Sequence, residues 1–171
     1  MKNLLKVALV AFCMVFMGNL AKAQTQKIGY IDMDAAIMSL PEVKTVKTQL
    51  DAFAKTWQDN LTTLQTELQT KAKDYDAKKA TMTEAARTLK EQELNDINNR
   101  LTQNNQLASQ QVEAKQGELS KPLIEKVNAA ISAVAKEKGY TYVINTTQNP
   151  LLVAPDADNL LAAVKLKLGI K

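Results

Sequence analysis

The chain is expected to fold as α+β, with a small β-containing body carrying one long antiparallel hairpin of α-helices. Three observations predict this. Two long stretches hold apolar residues in steps of three, four and four, which is an eleven-residue repeat. Between about Leu50 and Val134 there is no strand pattern, and Gly117 and Pro122 are the only glycine and proline. Short segments rich in β-branched and aromatic residues flank this region on both sides. An eleven-residue repeat corresponds to about 3.67 residues per turn, so the apolar seam stays on one side of a nearly straight helix.

The first 23 residues read as a cleaved signal peptide. Lys2 and Lys6 form a positive start, Val7 to Leu20 is an uncharged apolar run, and Ala21-Lys22-Ala23 is a small-residue cleavage site, leaving Gln24 first. The apolar run is shorter than the ~20 residues a membrane span needs. Cleavage removes Cys13, the only cysteine, so disulfides and thiolate chemistry are excluded and stability rests on packing. Lys2, Lys6 and Lys22 leave as well, so 22 basic residues become 19 against 18 acidic ones. The mature chain is nearly neutral, which argues against a nucleic-acid footprint.

Residues 24–171 form a single domain, with a body of residues 24–45 and 120–171 and an arm of about residues 46–119. Ile28 to Met33 is a short strand, and Met33 to Leu40 a helical turn or short helix. Ser39-Leu40-Pro41-Glu42 opens the first long helix, with Pro41 at its first position and Ser39 or Leu40 at the cap. Its seam reads Leu50, Phe53, Trp57, Leu61, Leu64, Leu68, Ala72, Tyr75 and Lys79. Roughly 38 residues give an arm of about 57 Å. Thr81-Met82-Thr83-Glu84 has capping-box spacing, with Thr81 as cap.

The return helix runs from about Thr83 to Lys138. Its seam reads Leu94, Ile97, Leu101, Asn105, Ala108, Val112, Gln116, Leu119, Leu123, Val127, Ala130 and Val134. Pro122 is expected to kink it where arm meets body. Lys136 and Lys138 suit its negative end and Gly139 stops it. Tyr140 to Asn145 is a second strand, and Leu151 to Ala154 a third, as hairpin partner of the second. Asp156 and Asp158 are expected to cap a last helix, Asn159 to Leu168. Three short strands make a marginal sheet with exposed edges. Several chains are therefore expected to pool their strands into one body shared between protomers, and a cyclic trimer fits.

The chemistry is restricted. With no histidine and no mature cysteine, Ser-His-Asp triads, thiol nucleophiles and nearly all zinc sites are excluded. The carboxylate pairs Asp32 and Asp34, Asp74 and Asp76, Glu91 and Glu93, and Asp156 and Asp158 are all two residues apart, a spacing that points to different sides of a helix. The mature glycines Gly29, Gly117, Gly139 and Gly169 are scattered and build no phosphate loop. The chain reads as no enzyme, with no cofactor and no metal. From Leu50 to Lys115 nine Lys or Arg stand against ten Asp or Glu, a mixed and solvated face with no basic stripe for nucleic acid. Phe53, Trp57, Tyr75, Met82 and Leu89 are the candidate contacts for a bound partner along the arm. Helix packing is the competing explanation for Phe53 and Trp57. Ile28, Tyr30, Ile31, Ile131, Val134, Tyr142, Val143, Ile144 and Leu152 are the candidates for the shared core.

Two strings resemble a known family. Lys27-Ile28-Gly29-Tyr30-Ile31-Asp32-Met33 followed by Ser39-Leu40-Pro41-Glu42 is similar to the opening of the OmpH/Skp family of periplasmic chaperones. Lys121 to Val127, running into Ala130 to Tyr140 and Tyr142-Val143-Ile144, is similar to that family's return segment. The resemblance covers essentially all of the mature chain. It implies a jellyfish-shaped homotrimer whose tentacles enclose a cavity. It also implies a soluble periplasmic holdase that binds unfolded outer-membrane β-barrel proteins without ATP and prevents their aggregation. The near-neutral arm departs from the basic tentacles of the best-known member, which argues against lipopolysaccharide or membrane-surface contact. A structural or adaptor coiled-coil protein of the cell envelope is the alternative.

Overall fold

The computed structural model describes residues 26–170; the expected signal peptide and the residue after its cleavage site lie outside the described residues. The order is β1 (Ile28–Ile31), α1 (Met33–Met38), α2 (Glu42–Lys78), a single 3-10 turn at Lys79–Thr81, and α3 (Glu84–Lys138). Then follow β2 (Tyr142–Asn145), a second 3-10 turn at Asp156–Asp158, and α4 (Leu161–Lys167).

β1 and β2 pair in parallel, with Ile28 opposite Tyr142 and Ile31 opposite Asn145. Parallel strands need a long crossover. Here the crossover is the arm itself, so one chain leaves the body through α2 and returns through α3. The expected hairpin between a second and a third strand does not form. Residues 151–154 adopt no strand, β2 pairs with β1 instead, and the other edge of β1 meets only Asn159. There the Leu160 amide donates to the Tyr30 carbonyl at 2.9 Å. Pro150 and Pro155 bracket the missing strand, and each removes a ladder donor and fixes φ. β2 also begins two residues later than expected, because Tyr140 turns into the core.

The helix ends show how local chemistry placed them. Asp32 caps α1, accepting from the Ala35 amide at 3.0 Å. The Ser39 hydroxyl donates back to the Ala35 carbonyl, so Ser39 closes α1 and does not open α2. Pro41 lies at the cap position of α2 and not inside its first turn. At the tip Thr83, not Thr81, caps α3 by accepting from the Ala86 amide at 3.3 Å. The Thr81 hydroxyl is turned back to the Lys78 carbonyl, which closes the 3-10 turn. Asp158 caps no helix, because its carboxylate accepts from the Tyr140 hydroxyl at 2.9 Å; Asn159 accepts from the Leu161 amide instead.

Gly139 ends α3 with φ 72°, and the next amide, of Tyr140, reaches back to the Ala135 carbonyl at 2.9 Å. A left-handed residue at this point suits glycine. The core lies in the body. The last turns of α3 supply Leu123, Val127, Ala130 and Val134, and Ile31, Leu40, Leu160 and Val164 close over them. Gly29 is needed where strand and core meet, since a Cβ there would lie 3.0 Å from the Tyr140 ring.

Candidate functional site

Two surfaces could carry function: the arm and the uncovered side of the small sheet. In the arm α2 and α3 pack along one thin seam. Leu64, Ile97 and Ala108 are its buried members. The seam follows the sequence repeat with two shifts. Asn104 and Lys115 turn half inward where the repeat predicts Asn105 and Gln116, and both of the latter are exposed. Lys79 falls in the 3-10 turn and is exposed too.

Polar contacts supplement the distal half of the seam. Lys71 of α2 pairs with Glu93 of α3, and Lys90 donates to the same carboxylate at 2.7 Å. These two ammonium groups, Lys71 first, hold the Glu93 carboxyl down to about 2. The Tyr75 hydroxyl donates to Glu91 across the hairpin. That carboxylate acceptor, followed by burial, raises the tyrosine above its ordinary value.

The arm candidates divide accordingly. Phe53 and Trp57 are half-buried on the seam side of α2. Tyr75 is half-buried and its hydroxyl is engaged. Met82 is half-buried just beyond the tip turn. Leu89, 66% exposed, presents its side chain freely. Leu107 is exposed as well and was missed by the sequence reading. Its signal is visible afterwards, as a leucine one position off the seam residue Ala108.

The body candidates divide by face. The register sets Ile28 beside Tyr142 and Tyr30 beside Ile144. Side chains alternate across a strand, so these four share one face. Ile28, Tyr142 and Ile144 are exposed and Tyr30 is half-buried. Leu152 is 100% exposed, in a run with Leu151 and Val153, which the sequence reading had only as strand residues. Val143 and Ile131 are half-buried against the core. Ile31, 1% exposed, and Val134, 3% exposed, are spent inside the protomer's own core and have no surface left for a second chain. These two drop out of the shared-core set for that reason.

On the opposite side of the sheet Tyr140 is fixed by Asp158 and by Lys27, whose Nζ lies 4.0 Å from the ring centroid. Burial, then Asp158, pushes its phenol up from its ordinary value. No helix among the described residues is long and apolar enough to cross a membrane. No group of three or more metal-ligating acidic, histidine or cysteine side chains gathers among them.

Residues 27–168 match the family model described as outer membrane protein (OmpH-like). The chain belongs to the OmpH-like family. Its fold is similar to that of a candidate outer membrane chaperone (OmpH-like) from Caulobacter crescentus CB15, seen in a crystal structure. The TM-score is 0.70 at 23% identity, over 85% of this chain and 86% of that one. No curated protein matches. In this OmpH-like chain the two surfaces just described are therefore parts of a shared family fold, a mostly helical molecule with a small strand pair.

Proposed function

We propose that the chain is an ATP-independent holdase chaperone of the periplasm, exported by residues 1–23, that binds unfolded outer-membrane β-barrel proteins and prevents their aggregation. It works as a homotrimer, with three arms around a common cavity and no cofactor. The observation that carries this is the pairing of a long, thin, nearly neutral arm with a body whose sheet leaves an apolar face uncovered. Ile28, Tyr30, Tyr142 and Ile144 on one sheet face, and the fully exposed Leu152, are the residues offered to neighbouring chains. Fully burying one such side chain contributes about 1.5–3 kcal/mol. The open edge of β2 supplies backbone donors and acceptors for a strand added by a neighbour.

The arm suits guests that must be let go. An unfolded barrel strand exposes alternating apolar residues. Without nucleotide to drive release, contacts must be weak singly and numerous together. Scattered groups such as Leu89 and Leu107 on an otherwise polar rod meet that need.

The test is the mature chain mixed with a urea-denatured barrel protein and diluted. Light scattering is expected to stay low at about one trimer per client. Scattering equal to that of the client alone would overturn the reading. Capture of one folded partner with no suppression would favour the adaptor alternative.

A further inference from the structure

The two broad sides of the arm are unequal. On one of them an open groove of about 460 Å³ runs along α2, lined by Thr62, Thr63, Thr66, Glu67, Thr70 and Lys71. The four threonines are exposed, yet each hydroxyl proton is spent inside the helix. Thr62 donates to the Gln58 carbonyl at 2.8 Å, Thr63 to Asp59 at 2.9 Å, and Thr66 to Thr62 and Thr70 to Thr66 at 2.8 Å. Each threonine is left with its methyl group to offer a partner. At the end of the groove Lys71 pairs with Glu67 and Glu93, so charge is balanced within the arm. Exposed leucines share this side. Thr63 directly precedes the buried Leu64 of α2, and Leu107 directly precedes the buried Ala108 of α3. In antiparallel helices packed seam to seam, residues displaced the same way from the seam emerge on the same side of the hairpin. Leu89, eight residues before the buried Ile97, emerges there too. The other side presents Gln65, Asn98 and Ser109, and the leucines that lean toward it, Leu61, Leu94 and Leu101, are half-buried.

Resting on the holdase reading, we propose that this threonine–leucine side is the one that holds the client, and that its groove takes alternate apolar side chains of an unfolded barrel protein in extended form. Spacing supports that occupant. Thr62, Thr66 and Thr70 rise about 6 Å apart along α2. Side chains on one face of an extended strand repeat every ~6.6 Å, and in an unfolded barrel strand these are the apolar ones. Charge supports it as well. α2 carries no charged residue from Asn60 to Thr66, and α3 none from Leu101 to Val112. The cross-hairpin pairs Lys71–Glu93 and Lys126–Glu42 bring these two stretches to the same height. An apolar strand laid there strips water from no ion. Threonines whose hydroxyl protons are already bonded demand no particular hydrogen bond from a guest, so the surface accepts many sequences. Each methyl contact is small, and several together hold. Threonine and glutamine make this stretch read as polar, while its hydrogen bonds make the threonine row apolar in effect.

Two triple variants of the mature chain separate methyl from hydroxyl. T63S/T66S/T70S keeps the hydroxyls and removes three methyls, and T63V/T66V/T70V keeps the methyls and removes the hydroxyls. The probe is a urea-denatured barrel protein diluted into each chain, with Kd read by fluorescence and folding checked by circular dichroism. The serine variant is expected to bind about tenfold more weakly, and the valine variant as tightly as the parent or more so. N98A/S109A, on the other side of the hairpin, is expected to bind like the parent. A hydroxyl needed only to support the helix gives the opposite order, with serine harmless and valine harmful, and that order would overturn the proposal. Parent-like binding by the serine variant would overturn it too, while leaving the holdase reading intact. A parent chain that binds no denatured barrel protein sinks the holdase reading and this proposal with it. Should either triple variant fold poorly, bimane attached at Leu107→Cys and at Ser109→Cys decides. Client is expected to shift the fluorescence at position 107 and not at 109, and equal shifts or the reverse would refute the assignment of sides.

Discussion

Body and arm draw on the same helix, α3, yet hold it in different ways. Its last turns bury Leu123, Val127, Ala130 and Val134 under β1, α1 and α4. Its first eight turns bury Ile97 and Ala108 alone, against the single buried Leu64 of α2. A body residue is enclosed from several directions, whereas an arm residue touches one neighbouring helix and then water. The body should therefore unfold as a unit, and the arm should open locally at lower free-energy cost. One continuous helix thus spans two stabilities.

The largest expected effect breaks the body. Leu160→Ala removes a fully enclosed side chain and should cost about 2–5 kcal/mol, lowering the urea midpoint of the whole chain. Leu64→Ala makes the same chemical change in the arm, where the seam can collapse around it, and should cost about 2 kcal/mol or less. Hydrogen exchange separates the two cases. Leu160→Ala should speed exchange everywhere, and Leu64→Ala only in the arm. Equal, global acceleration by both would abolish the distinction between the regions.

Glycine substitutions sharpen it. Gly29→Ala places a Cβ 3.0 Å from the Tyr140 ring and 3.2 Å from Leu160. Overpacking of this kind costs about 1–3 kcal/mol. Gly139→Ala meets open space, and only the left-handed φ of 72° opposes it, at about 1 kcal/mol. Thermal melts should rank Gly29→Ala below Gly139→Ala. The reverse order would mean that the strand–core contact is slack.

The arm should loosen as acid removes the charge of Glu93. Glu93 titrates near 2 when folded and at an ordinary carboxylate value of 4.5 when its partners are gone. Its folded value is the lower one, so its contribution is complete above about 4.5 and fades as pH falls toward 2. Hydrogen exchange of amides around Lys71 and Glu93, corrected for intrinsic pH dependence, should accelerate across that window. In Glu93→Gln the acceleration should be smaller. A window at the same pH and of the same size in the variant would assign the effect to other carboxylates.

The parts legible in the sequence were those fixed by period and by backbone demand. The eleven-residue seam located both long helices, and Gly139 with Lys136 and Lys138 located the end of α3. The errors lie where one residue type satisfies two local patterns. Thr81 and Thr83 can each cap a helix, and the choice followed from Thr81 closing the 3-10 turn. Asn104 and Asn105 are chemically alike, so composition could not say which step of three comes first. The third strand failed for a different reason. Its apolar residues read as β, but Pro150 and Pro155 flank them without ladder donors, and the chain bends at residues 152 and 153. The outward sheet face was hidden too. Ile31 and Val143 on its inner side are as apolar as Ile28 and Ile144 on its outer side, so alternation did not reveal which face is covered.

The smallest expected effect on stability is also the one that separates support from contact along the arm. Leu89 touches solvent over most of its surface and lies off the seam, so Leu89→Ser should change stability by no more than about 0.5 kcal/mol. Trp57 lies on the seam side of α2, and Trp57→Ala removes packing, so some loss of arm order should accompany it. If the arm holds unfolded chains through its free apolar groups, Leu89→Ser should weaken aggregation suppression while arm exchange stays unchanged. Trp57→Ala should disturb both together. Full suppression by Leu89→Ser would move client contact off this part of the arm, and toward the seam side where Phe53 and Trp57 are partly open.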